Sequence, residues 1–189
     1  ETFARKVAER VAKLKVGHGM DEGVAVGPLI DRAGWDKVHA HVSDALARGA
    51  TLVQGEPAEQ DRWRVERPEV FRGSLGLTPA MLIAHEETFG PVLPVMPVND
   101  DAQAIELVGD TRYGLTSSIF TTSRARAEQF IQAMHSGTVF VNACNFVDAR
   151  LGWIGHGHSG NGAIALSPLG LQALSAAHSI NINPELLHD

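Results

Sequence analysis

Glu86-Glu87-Thr88-Phe89-Gly90-Pro91-Val92 concentrates more chemistry than any other run in the chain. Glu86 and Glu87 cannot act as acid and base on one substrate atom, because neighbouring side chains diverge. One carboxylate can accept both hydroxyls of a ribose, and an aromatic two residues on can pack against a planar ring. Gly90-Pro91 then fixes a tight turn that holds both in place. On composition alone, the same letters describe a solvated acidic turn.

Other candidates are weaker. Gly155-His156-Gly157-His158-Ser159-Gly160 has the letters of a dinucleotide fingerprint. It lacks the acidic residue about 20 positions on, and Gly162 and Pro168 oppose a long helix opening there. His156 and His158 stand at i, i+2 without a third ligand, so no metal is expected. His85-Glu86-Glu87-Thr88-Phe89 puts Phe89 where a zinc helix needs its second histidine. Cys144 needs a base or a helix N-terminus to become a nucleophile. Its flank, Val141-Asn142-Ala143-Cys144-Asn145, reads as a strand running into a loop, and a small structural cysteine is the favoured reading.

Composition narrows the classes. The 189 residues are 44 % hydrophobic and 20 % charged, which excludes disorder and expects one sizeable core rather than two. A net charge of −6 leaves no basic field for nucleic acid or an anionic membrane surface. No apolar run approaches the roughly 18 residues of a membrane span. The single cysteine excludes an intramolecular disulfide framework and suits a reducing compartment, so a cytoplasmic protein is expected. The chain opens at Glu1 inside a helical pattern, without Met, as a piece of a longer protein would.

The elements that must position these residues follow from apolar spacing. Phe3, Val7, Val11 and Leu14 predict a helix up to Gly17. Asp31 caps a second, with Trp35, Val38, Val42 and Leu46 on one face and Gly49 at its end. Leu52–Val53 is a short strand, 55–68 a polar surface loop, and Val70–Phe71 and Leu75–Leu77 brief extended pieces. Residues 91–98 carry Pro91, Pro94 and Pro97, which predicts an edge strand or an irregular segment. Asp100 caps a helix with Ala104, Ile105 and Val108. Ser117–Phe120, a helix capped by Thr122 or Ser123 with Ala127, Phe130, Ile131 and Met134, and Thr138–Val141 form a right-handed βαβ unit. Residues 151–162 are a glycine-rich loop, 166–174 a short helix, and 178–183 a strand whose Ile180 and Ile182 alternate with polar neighbours.

With these residues in view, the chain resembles the aldehyde dehydrogenase superfamily over nearly its whole length. Val26-Gly27-Pro28-Leu29-Ile30 and Ala47-Arg48-Gly49-Ala50 are similar to the start and end of a family helix. Glu86 to Val92 is similar to its most recognisable signature. Tyr113 to Thr121, Gly137 to Asn142, and Gly152-Trp153-Ile154-Gly155 through Ser159-Gly160-Asn161-Gly162 resemble three later motifs, in the family's order. The resemblance implies an α/β fold: a three-layer sandwich with a mainly parallel twisted sheet and a C-terminal extended oligomerisation strand. Residues 1–170 would be part of the catalytic domain and 171–189 the oligomerisation segment.

It implies, too, an NAD- or NADP-dependent oxidation of a small-molecule aldehyde to a carboxylic acid, through a cysteine thiohemiacetal and thioester. The nucleophilic cysteine and the base glutamate would lie upstream of Glu1, so no catalytic residue is assigned here, and Cys144 does not align with the nucleophile. Glu87 matches the carboxylate that holds the nicotinamide ribose, and Phe89 the aromatic beside the nicotinamide. Trp153 and Val147 fall on substrate-tunnel positions, and Arg150 near the tunnel mouth, where it could meet a substrate carboxylate or stay a solvated surface arginine. A homodimer or homotetramer is implied. Two departures stand out. Gly152 and Trp153 replace a common proline and phenylalanine, and Gly157 replaces a common lysine, whose loss could loosen the closing loop. The alternatives are an inactive truncated homologue that serves only as an oligomerisation module, and a histidine-based metal protein.

Overall fold

The computed structural model of the chain describes residues 2–55, 69–72, 78, 80–144 and 146–183. It divides into two compact units, 1–107 and 108–189. The length predicts one sizeable core rather than two. A cluster of large buried residues forms in the first unit, whereas Ala127 and Phe130 are the buried hydrophobics described in the second.

The first unit opens with α1 (Thr2–Val11), which lies against β1 (Thr51–Gln54) and β2 (Glu69–Arg72). Its buried residues are Ala4 and Ala8, while Phe3 is 66 % exposed, so the predicted stripe is rotated. Alanine lets the helix backbone approach closely, which a phenylalanine would prevent. The helix also stops earlier than expected. Residues after Val11 turn away, and Gly17 N–H donates to Val26 O at 3.0 Å.

Helix α2 (Arg32–Ala47) begins as predicted, with the Asp31 carboxylate accepting from Gly34 N–H at 2.7 Å. Gly49 follows its end in the left-handed region. Trp35, Val38, Val42 and Ala45 are buried, and so is His41. Val38, Val42 and Ala45 form a core with Ala50, Met81 and Ile83, and Leu29, Leu46, Leu52 and Val92 close around it. Helix α3 (Leu82–His85) is one turn long, and Asp44 accepts from its first N–H, that of Leu82, at 2.9 Å.

Strand β3 (Val92–Val95) completes a sheet of order β1-β2-β3, antiparallel between the first pair and parallel between the second. Pro94 thus sits on the outer strand of this sheet among the described residues, a position that tolerates a missing N–H. The loop expected over 55–68 lies, from residue 56 on, outside the described residues, as does Leu75–Leu77. Helix α4 (Asp101–Gly109) is capped by Asp100, which accepts from Gln103 N–H at 2.8 Å.

In the second unit, β5 (Thr116–Ile119), α5 (Arg124–Ala133) and β6 (Thr138–Val141) form the predicted parallel βαβ unit. The Asn142 side-chain amide bridges to Thr121, accepting from its N–H at 2.8 Å and donating to its carbonyl at 2.9 Å. A ladder not anticipated from the sequence pairs β4 (Tyr113–Gly114) antiparallel with β7 (His156–Gly157), inside the glycine-rich loop. Helix α6 (Ser167–Ala173) carries Pro168 in its first turn. Residues 175–183 pair with no strand among the described residues, and Ile180 and Ile182 are 73 % and 57 % exposed. No helix among the described residues is long and apolar enough to cross a membrane.

Candidate functional site

The 86–90 segment is built against one face of α2. Three positions at helical spacing reach it or the helix before it. A Cβ placed on Gly90 would lie 2.3 Å from Val38 Cγ2, so only glycine permits this approach. His41 Nδ1 is 3.0 Å from Thr88 Oγ1, and His41 Nε2 is 3.7 Å from Glu86 Oε2. Asp44 holds the start of α3. Glu86 and Thr88 therefore turn toward the helix, and the intervening Glu87 and following Phe89 are exposed.

That alternation answers the question of the two carboxylates. Glu86 faces the buried imidazole. The Glu87 carboxylate has no hydrogen-bond or ion-pair partner among the described residues. Phe89 is 79 % exposed and adopts φ 55, the left-handed region that a bulky residue rarely occupies. An exposed aromatic held in strained backbone beside an unpaired carboxylate suits a ligand with a planar ring and a diol.

Electrostatics follow the packing. Burial pushes the His41 imidazole below its ordinary value; Glu86 and Asp44 pull it up, and Lys37 and His85 push it down further. Leu82 N–H, and then Arg48, hold the Asp44 carboxyl below the usual carboxylate range. His41 and Thr88 were not singled out in the sequence. The signal was present: His41 stands at i+3 from Val38 and next to Val42, on the face that is otherwise apolar.

The tunnel candidates lie in the second unit, on one loop. Trp153 is half-buried and exchanges both backbone hydrogen bonds with Ala165, at 2.6 and 2.8 Å. Ser167 N–H donates to Ala149 O at 3.0 Å, which ties the loop to the start of α6. Val147 is exposed. Arg150 forks onto Asp148 through Nε and Nη2, with a shortest distance of 2.6 Å, and its own N–H donates to the same carboxylate. The Arg150 side-chain and backbone donors hold the Asp148 carboxyl down to about 2. Cys144 is free and exposed in the loop after β6.

The glycine fingerprint serves packing. A Cβ on Gly155 would stand 2.0 Å from Ser159 O, and one on Gly160 2.1 Å from Gly155 O. No helix opens inside the run, which forms β7 and a turn instead. Gly157 suits its place in the same geometry. Gly157 has φ 56, pairs with Tyr113, and leaves 2.3 Å between an added Cβ and Arg112 O. This backbone has no room for a lysine, and His158 N–H secures the turn on Arg112 O at 2.8 Å. His158 packs edge-on to Tyr113. Among the described residues, no group of three or more His, Cys, Asp or Glu side chains is placed to hold a metal.

Comparison with known proteins places this arrangement. Residues 1–180 match the aldehyde dehydrogenase family. Betaine aldehyde dehydrogenase of Brucella anthropi is 35 % identical over 175 residues, covering 88 % of this chain and 35 % of the relative. The crystal structure of succinate-semialdehyde dehydrogenase from Burkholderia pseudomallei superposes with a TM-score of 0.84 at 32 % identity, covering 91 % of this chain and 35 % of that one. Betaine aldehyde dehydrogenase from Staphylococcus aureus, solved in complex with NAD+, gives a TM-score of 0.80 at 30 % identity, covering 90 % and 34 %. The chain thus spans about a third of the length of the proteins it matches. With its α/β fold and motif order, the chain belongs to the aldehyde dehydrogenase family.

Proposed function

We propose that this chain is the C-terminal portion of an NAD(P)-dependent aldehyde dehydrogenase that oxidises a small-molecule aldehyde to a carboxylic acid. The nucleophilic cysteine, which would carry the thiohemiacetal and thioester, and the glutamate base lie in a segment preceding residue 1. The observation that carries the reading is the 86–90 segment: an outward carboxylate at Glu87, an exposed Phe89 in left-handed backbone, and a glycine-proline turn wedged against α2. These residues fit a nicotinamide riboside. Glu87 would accept the ribose hydroxyls, and Phe89 would pack beside the ring. The bound dinucleotide supplies the hydride acceptor. This chain contributes its placement, by which a small misalignment is expected to slow the reaction steeply.

Trp153 and Val147 would line the substrate tunnel. Arg150, already forked onto Asp148, would meet a substrate carboxylate only through donors outside that fork. Residues 1–170 would belong to the catalytic domain. The exposed Ile180 and Ile182, within 171–189, would add to a second copy's sheet in a homodimer or homotetramer. A free, exposed Cys144 suits a reducing, cytoplasmic setting. The same exposed isoleucines support the second reading, a truncated homologue that only assembles.

The test uses the full-length enzyme. Glu87→Gln is expected to slow hydride transfer in a single turnover by about ten- to a hundredfold. An unchanged rate removes the ribose role. The 189-residue chain alone is expected to make no NADH from aldehyde. Turnover by it that Cys144→Ala abolishes would overturn the placement of the nucleophile upstream.

A further inference from the structure

A histidine inside a helix face is an odd way to fill a core. His41 is 2 % exposed and lies among Trp35, Val38, Val42 and Ala45, where an aliphatic residue would pack without a polar atom to satisfy. Both ring nitrogens face the 86–90 segment: Nδ1 faces Thr88 Oγ1 at 3.0 Å, and Nε2 faces Glu86 Oε2 at 3.7 Å. A carboxylate beside Nε2 favours the tautomer with its proton there. Nδ1 is then left to accept from the Thr88 hydroxyl. Thr88, held this way, stands between Glu87 and Phe89.

We propose that His41 is a positioning residue for the cofactor: its imidazole holds the Thr88 hydroxyl, and so sets the direction in which Glu87 and Phe89 project. This rests on the reading that Glu87 and Phe89 meet the nicotinamide riboside. The geometry makes the hold specific. Val38 blocks any inward shift of Gly90, so the segment is fixed at one end by contact and at its middle by the imidazole. A second proton on the ring would turn Nδ1 from acceptor to donor, so the Thr88 hydroxyl would have to rotate its proton away and accept instead, and the present arrangement would be lost. The groups that bear on this titration are Glu86 and Asp44, which favour the charged ring, and Lys37 and His85, which oppose it together with burial. Burial wins, so the ring is neutral at neutral pH and the hold weakens as the pH falls below the ordinary imidazole range.

The experiment measures the NAD+ dissociation constant of the full-length enzyme by calorimetric titration, alongside its melting midpoint. Titrations run from about pH 7.5 down to about pH 5. His41→Phe and Thr88→Val are each expected to weaken NAD+ binding about tenfold, and the double variant no more than either single. His41→Asn keeps an acceptor near the Nδ1 position but cannot titrate. It is expected to recover most of the affinity and to lose the acid-side weakening that the wild type shows. A role in packing alone would lower the melting midpoint without moving the dissociation constant or its pH profile, and that result overturns the proposal. Thr88→Val keeps the test open if His41→Phe does not fold. Glu87→Gln separates the two levels: no effect there removes the cofactor reading itself. Weakening there with none in Thr88→Val or His41→Phe removes the positioning role alone.

Discussion

In the first unit, the segment that presents Glu87 and Phe89 leans on side chains. Val38, His41 and Asp44 of α2 reach Gly90, Thr88 with Glu86, and the start of α3. In the second unit, the stretch from Val147 to Gly160 leans on backbone. Trp153 pairs with Ala165, Gly157 with Tyr113, and Gly155 with Gly160 pack main chain on main chain. A side-chain buttress can be retuned by rotamer, by substitution and by pH. A backbone buttress has no such freedom, because the atoms in contact cannot rotate away. The two regions are therefore expected to fail in different ways.

The largest expected effect is steric and belongs to the second unit. A Cβ on Gly155 would meet Ser159 O at 2.0 Å, and one on Gly137 would meet Ile154 O at 1.6 Å. Gly155→Ala and Gly137→Ala should each cost about 3 kcal/mol or more, read from denaturant midpoints. Gly109→Ala is the control. Its Cβ meets nothing within 4 Å at the end of α4, and the change should stabilise by about 0.5 kcal/mol. Similar midpoints for all three would refute the backbone account.

The same contrast explains what was legible in the sequence. Helix α2 could be read whole because its signals are local: the Asp31 cap, the Trp35, Val38 and Val42 stripe, and Gly49 beyond the end. The β5-α5-β6 unit was legible for the same reason. The β4–β7 ladder was not, because two residues near 113 carry no mark of a partner near 156. The buried face of α1 is not legible in the same way, because a size-based stripe favours Phe3, whereas close approach to a sheet favours Ala4 and Ala8. In the 86–90 segment, residue types alone left a solvated acidic turn as the plainer reading, and only the family resemblance singles out Glu87 and Phe89; the structure shows both exposed. His41 was hidden because an apolar-face search passes over a polar residue, and its partner stands 47 positions away.

A smaller effect tests the buttress in the first unit. Gly90→Ala drives a Cβ into Val38 Cγ2, a side-chain atom that a neighbouring change can remove. Alone it should cost about 2 kcal/mol, and Val38→Ala about 2 kcal/mol through its cavity. Together they should cost clearly less than the sum, since the new methyl occupies the space the valine gave up. Strict additivity would mean that Val38 and Gly90 do not touch in solution. Gly155→Ala, which meets backbone, should find no such rescue from any side-chain truncation.

A graded effect comes from pH. The folded His41 value lies below its unfolded value, so this residue's contribution to stability is intact above about 6.5. It is lost as the pH falls from there through the folded value. Amide protection over residues 82–92, taken relative to the intrinsic exchange rate at each pH, should therefore fall on acidification in the wild type and stay flat in His41→Asn. Protection over residues 147–160, held by backbone, should show no step in that range. An equal fall in both regions would erase the distinction between them.

The smallest effect concerns the one prominent side-chain pair in the second region. Arg150 and Asp148 make a well-formed fork, yet the arginine side chain is exposed and water screens the charge. Arg150→Gln should therefore leave the melting midpoint within about a degree of the wild type. The local signature should be clear all the same. Asp148 titrates at about 2, so whatever stability it lends is present above its ordinary 3.8 and is lost as the pH falls through about 2. Losing the guanidinium removes the main cause of that depression, but the Arg150 backbone N–H still donates to the carboxylate at 2.9 Å and survives any substitution except proline. A carboxylate-resolved NMR titration of Arg150→Gln should place Asp148 between those two values. A return all the way to 3.8 would mean that the turn itself opens when the arginine goes, and that this part of the loop depends on a side chain after all.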